Sequence, residues 1–283
     1  MFLYSIQVDQ DNRIANFFWR DGRSKLDYDS FRDVVIFDTT YRTNKYNLIC
    51  APFVGINHHW KIVLFGCAFL IDETTQSFIW LFETFFIAMG ARQPKFIFID
   101  QDQAMVNAIN IVFTESRHRL CLWHINKNVQ KNLIGIYGIL DFNQRLNHCL
   151  YGGCSNEMEF DSTWSEMIEM HNLKDNAWLD RLYHIQEKWC LNFNRDFFFS
   201  IMMKSTQRSE STNSVFHQIM KTSMPLIGAN FAFMLHLVMM KIPPLSLQME
   251  YSYKSILEFL QKIQFEISRT KCHVYLFILT FQK

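Results

Sequence analysis

The chain has 283 residues, of which 49% are hydrophobic and 28 are phenylalanine. That length and composition suit one large domain, or one domain with a sizeable insertion, and exclude wholesale disorder. A formal net charge of +1 argues against a dedicated duplex-coating module, which would be strongly basic. It leaves room for a nuclease-type core, whose chemistry requires clustered carboxylates.

The seven cysteines stand at 50, 67, 121, 149, 154, 190 and 272, with no CxxC pair. This is not a disulfide framework, and a reducing compartment is the simpler reading. The N-terminus has no basic n-region and no small-residue cleavage site, so no signal peptide is expected. The longest apolar runs, such as Phe78 to Met89, fall short of the roughly 20 residues of a membrane span.

In chain order, Leu3 to Val8 and Arg13 to Trp19 read as a hairpin around turn residues. Asp21-Gly22-Arg23 reads as a further turn. Val34-Val35-Ile36-Phe37-Asp38 is an apolar, β-branched run ending in a carboxylate, the pattern of a buried central strand. Asn47 to Val54 and Ile62 to Ile71 suggest an antiparallel meander. From Thr75 to Met89 the period becomes helical, with Thr74 or Thr75 as N-cap and Gly90 as the C-terminal cap. Lys95 to Asp100 is a second strand ending in a carboxylate. Gln103 to Phe113 reads as helix, His118 to Trp123 as strand and His124 to Leu133 as helix. The order β-β-β-α-β-α-β-α is that of an α/β, ribonuclease-H-like fold.

Beyond Leu133 the β-branched runs thin out and Trp164, Trp178 and Trp189 fall in helical spacing. The expected units are 1–30, an N-terminal hairpin; 31–134, the core; 135–205, an all-helical insertion; 206–242, a helix carrying Glu210 and the next helix; and 243–283, a divergent tail. The tryptophans suit packing between helices better than base stacking.

Two strands that both end in Asp carry the chemistry. Parallel neighbours in an α/β sheet present their C-terminal ends at one edge, where ligands collect. Side by side, Asp38 and Asp100 would repel. A divalent cation with oxygen ligands removes that conflict. A third carboxylate would complete a two-metal site for phosphodiester chemistry. The plain alternative is that each Asp only caps a strand or a following helix. Asp102 is a rival to Asp100, although it falls where the next helix begins and suits an N-cap. Cys121 and His124 have zinc-like spacing without a second pair; the other reading is that they position the site by packing and hydrogen bonds. Arg117, Arg119, Lys127 and Lys131 either contact phosphates or form a solvated face.

Several segments resemble Mutator-like element (MULE) transposases of the plant far-red-impaired-response family. They are Phe37-Asp38-Thr39-Thr40-Tyr41-Arg42-Thr43-Asn44-Lys45-Tyr46, Leu64-Phe65-Gly66-Cys67-Ala68, Trp80-Leu81-Phe82-Glu83-Thr84, Asp100-Gln101-Asp102-Gln103-Ala104-Met105, Cys121-Leu122-Trp123-His124 and Thr206-Gln207-Arg208-Ser209-Glu210-Ser211. The resemblance implies Asp38, Asp100 and Glu210 as the catalytic, metal-holding carboxylates, with Mg²⁺ or Mn²⁺ as the cation. It implies DNA as a partner, with Arg42, Lys45, Arg117, Arg119 and Arg208 as candidate contacts. It also implies a nuclear location, pairing with itself or related chains, and no membrane association. The family's zinc-dependent DNA-binding and SWIM-type modules have no match here, and Trp60 departs from the family pattern. The expected function is that of a domesticated, transposase-derived regulator of DNA-templated transcription. The alternatives are an active transposase that cuts and joins DNA, and an interaction module for longer relatives.

Overall fold

A computed structural model describes residues 3–10, 14–39 and 48–190. Arg42, Lys45, Arg208 and Glu210 lie outside the described residues. So do the expected helix carrying Glu210, the tail, and the end of the expected insertion.

The architecture is mixed α/β. Seven strands form one sheet in the order β1-β2-β5-β4-β3-β6-β7. They are β1 (Leu3–Val8), β2 (Ile14–Arg20), β3 (Val34–Phe37), β4 (Ile49–Ile56), β5 (Ile62–Leu70), β6 (Phe96–Ile99) and β7 (Arg117–Leu120). The helices are α1 (Gly22–Phe31), α2 (Thr75–Ala88), α3 (Gln103–Val112), α4 (Leu122–Asn132), α5 (Leu140–Leu150), α6 (Glu157–Met170) and α7 (Ala177–His184). From β3 to α4 the element order is the one the apolar periodicity predicts, and β1 pairs with β2 as a hairpin.

Two local readings need correction. The stretch after Asp21 is not a turn but the start of α1: the Asp21 carboxylate accepts from the Ser24 amide at 2.6 Å, capping the helix. A polar first turn had hidden it. The strand expected at His118–Trp123 ends at Leu120, and α4 begins at Leu122. The apolar Cys121-Leu122-Trp123 prolongs the strand pattern, but the Cys121 carbonyl already accepts the first helical bond from Ile125.

β3 and β6 are parallel, and β6 and β7 are parallel. β4 runs antiparallel to both β3 and β5, so β5 points the same way as β3. The C-terminal ends of β3, β5, β6 and β7 therefore share one edge.

One face of the sheet meets α1, α2 and α3 through a core dominated by aromatics. Phe53 and Phe85 stack at 4.0 Å, and Phe37 packs against Phe53 at 4.7 Å and Phe82 at 5.0 Å. Offset and edge-on pairs of this kind add to simple area burial. Tyr28 of α1 is buried within the cluster and donates its hydroxyl to the Arg92 carbonyl at 2.7 Å, which satisfies its polar tip. On the opposite face Val34, Phe96 and Phe98 form a small buried cluster. A second core joins Leu120 and α4 to α5, α6 and α7. Trp164 and Trp189 are buried there against Phe160, the packing role expected of them. The six described cysteines are buried free thiols, and no described helix is long and apolar enough to cross a membrane.

Gly55 on β4 shows how tightly this sheet is filled: a Cβ there would fall inside the Phe65 ring. Gly55→Ala is expected to destabilise the protein by about 1–3 kcal/mol, the usual cost of overpacking a core, with urea denaturation as the measurement.

Candidate functional site: a carboxylate pair at the sheet edge

Register places the two strand-end aspartates. β3 pairs with β6 at a constant offset of 62 residues: Val34 with Phe96, Val35 with Ile97, Ile36 with Phe98. The same offset carries Asp38 onto Asp100. Neighbouring strands lie about 4.8 Å apart, so the two carboxylates leave the sheet side by side.

Asp100 accepts from the Gln101 amide at 2.6 Å. Asp102 accepts from the Met105 amide at 2.8 Å as the N-cap of α3. Asp102 thus takes the N-cap role that its position at the start of the helix predicts.

The next strand supplies the neighbour. The Cys121 amide donates to the Ile99 carbonyl at 2.8 Å, holding the start of α4 against the end of β6. One turn into α4, His124 Nε2 lies 3.4 Å from Asp38 Oδ1, and both side chains are 15% exposed. Burial by itself would lower the His124 pKa. The hydrogen bond with Cys121 and the charges of Asp38 and Asp100 outweigh it and raise the value to about 9. The imidazole is then a cation at neutral pH, set against two carboxylates. This assigns the Cys-x-x-His segment a position: Cys121 begins the helix and His124 faces the acids.

Two further contacts escaped the sequence. Thr39 donates to Glu73 Oε1 at 2.7 Å, bringing an acid from the end of β5 to the same edge. Asn128 of α4 donates to Gln101 Oε1 at 2.6 Å. Neither pairing leaves a local signal, because each joins segments brought together only by strand order.

The basic candidates separate. Arg119 is 3% exposed and donates to the Cys190 carbonyl at 3.4 Å; burial lowers its pKa to about 10. A guanidinium enclosed in this way is not presented to a phosphate at the surface. Arg117 is exposed but opens β7 opposite Phe96. It sits at the far end of the strand from the carboxylate edge, roughly 10 Å or more away at strand rise. Neither arginine is therefore placed at the carboxylate edge.

The donor set is hard oxygen from two adjacent carboxylates, which fits Mg²⁺ or Mn²⁺. Among the described residues no group of three or more His, Cys, Asp or Glu forms a metal cluster, so Asp38 and Asp100 would have to be joined by a ligand outside them.

Residues 34–128 match the family described as the MULE transposase domain. That match brackets both aspartates, Cys121 and His124, and defines the chain as a MULE-domain protein. Over 216 residues, 76% of its length, it is 41% identical to the Arabidopsis thaliana protein FAR1-RELATED SEQUENCE 5 and 38% identical to FAR-RED IMPAIRED RESPONSE 1 from the same plant, covering 27% and 26% of those proteins. The chain is thus a FAR1-related plant protein, and it spans about a quarter of the length of these curated relatives.

Two pH-linked outcomes follow. Asp38→Asn is expected to bring the His124 pKa down from about 9 towards the ordinary value near 6.5, read by NMR titration of the ring. His118 on β7 is held down to about 4 by burial and by Lys188 and Arg119. A folded-state pKa below the unfolded one means that the unfolded chain takes up the proton first. Stability from neutral His118 is therefore present above about pH 6.5 and is lost as the pH falls towards 4. The loss is on the order of 3 kcal/mol, and urea midpoints across that range should show it shrinking in His118→Leu.

Proposed function

We propose that this chain is the ribonuclease-H-like core of a domesticated, MULE-transposase-derived nuclear protein that acts on DNA in the regulation of transcription. The observation that carries the reading is the carboxylate pair Asp38 and Asp100, set side by side at the C-terminal edge of two parallel strands inside the MULE match. The order β5-β4-β3-β6-β7, with β4 alone reversed, supports the ribonuclease-H-like assignment. The regulatory role is supported by kinship with plant proteins named for a far-red response.

In this reading Asp38 and Asp100 hold a divalent cation, with Glu210 as the third carboxylate, supplied from beyond a helical insertion. When bound, the cation would supply charge neutralisation and polarisation of a phosphodiester oxygen. His124 orients Asp38 and offsets part of the repulsion between the acids while no cation is present. Arg42, Lys45 and Arg208 remain candidate DNA contacts. Zinc belongs to family modules that this sequence does not match.

The second reading, an active transposase, is favoured by the survival of both described carboxylates. The two readings share the metal site and differ in strand cleavage.

Calorimetry with Mn²⁺ tests the site. Wild type should bind, and Asp38→Asn or Asp100→Asn should weaken binding by more than about tenfold. No binding to a chain that is folded by circular dichroism would make the carboxylates a relic. Metal-dependent nicking of DNA, lost in Asp100→Asn, would select the transposase over the regulator.

A further inference from the structure

Helix α4 does more than carry His124. Residues spaced i, i+3, i+4 and i+7 share one face of a helix, and on α4 these are His124, Lys127, Asn128 and Lys131. Two of the four fix where that face lies. His124 meets Asp38 and Asn128 meets Gln101, so the stripe is laid along the carboxylate edge. Lys127 and Lys131 continue it, one and two turns beyond His124, and both are exposed.

Beyond His124, which faces Asp38, no described carboxylate offsets the charges on this stripe. α4 contains no Asp or Glu. Among the described residues Lys25, Lys95 and Lys174 are each held by a carboxylate; Lys127 and Lys131, like Lys61 and Lys188, form no ion pair there. The Lys127 ammonium instead lies 5.5 Å from the centre of the Trp123 ring. That cation–π contact restrains its swing. α6 has the opposite sign: Glu157, Glu159, Asp161, Glu166 and Glu169, with no Lys or Arg. Of these acids Glu159, Glu166 and Glu169 are engaged by His148, Arg145 and Lys174, whereas the two lysines of α4 keep their charge open to a polyanion at the carboxylate edge.

We propose that the α4 stripe is the track for one nucleic-acid strand leaving the carboxylate pair, with Lys127 and Lys131 each neutralising a backbone phosphate. The rise of about 6 Å from one lysine to the next along the helix lets them address successive phosphates. Contacts of this kind set position and polarity without reading bases. The proposal rests on Asp38 and Asp100 marking the nucleic-acid site, and it replaces Arg117 and Arg119 as the contacts from this part of the chain.

The test is fluorescence anisotropy of a short, fluorescein-labelled single-stranded DNA with the full chain, in EDTA, across a potassium chloride series. Lys127→Gln/Lys131→Gln should lower the slope of log affinity against log salt by about 1.4, at about 0.7 per phosphate on a single strand. The weakening should be the same for strands of different sequence, and Lys127→Arg/Lys131→Arg should restore the wild-type slope. An unchanged slope in the folded Gln variant overturns the track. So does the absence of wild-type binding at the lowest salt, or displacement of the DNA by polyglutamate at equal charge concentration. Asp38→Asn/Asp100→Asn separates the two readings. If it loses Mn²⁺ binding but keeps the wild-type slope in EDTA, the track stands on its own; if the slope falls with it, the track is overturned. A wild type that binds DNA through the lysines but binds no Mn²⁺ supports the track and removes only the metal site.

Discussion

The in-register parallel pairing of β3 and β6 is the constraint from which the site follows. Three residue pairs at one constant offset are enough to bring Asp38 and Asp100 to the same level. A slip of one residue would turn each strand's side chains to the opposite face. Such a slip is opposed on both sides. Val35, Phe37, Ile97 and Ile99 are locked into the aromatic core, and Val34, Phe96 and Phe98 are buried on the other face. The carboxylates are placed by hydrophobic burial several residues away, not by any affinity for each other.

Two acids held together in this way repel, and α4 supplies the compensation. Its start is set by the hydrogen bond between Cys121 and Ile99, which ends β7 and turns the chain across the edge of the sheet. His124 then meets Asp38 as a cation whose protonation the Cys121 hydrogen bond and the acids together sustain. The same helix face continues into two lysines that no described carboxylate engages. Strand-end acids and helix-borne bases thus share one edge, the polar counterpart of a sheet whose interior is almost wholly aliphatic and aromatic. Kinship with MULE-domain and FAR1-related proteins concerns the part of the chain in which this edge is built.

Much of this was legible from residue order. The apolar runs at Val34–Phe37 and Phe96–Ile99 declared strands, and the Asp at each end declared a candidate pair. The Thr74 cap and the helical phenylalanine spacing bounded α2 closely. The same signals failed where they were ambiguous. α1 opens on polar residues that look like a turn. The α4 boundary is blurred by Leu122 and Trp123, which suit a strand as well as a helix.

Local order alone determined the kinds and sequence of the elements from β3 to α4, and which acids stand at strand ends, because periodicity and capping act within a few residues. Tertiary structure decided which charges are available. Arg117 and Arg119 lie two residues apart on one strand, yet one faces solvent at the far end of the sheet and the other is enclosed against Cys190. Burial and edge are properties of strand order and of what packs on each face, and no residue's own chemistry encodes them. The placing of Glu73 beside Thr39, of Asn128 beside Gln101 and of His124 beside Asp38 has the same origin: each joins segments that only the folded sheet makes neighbours.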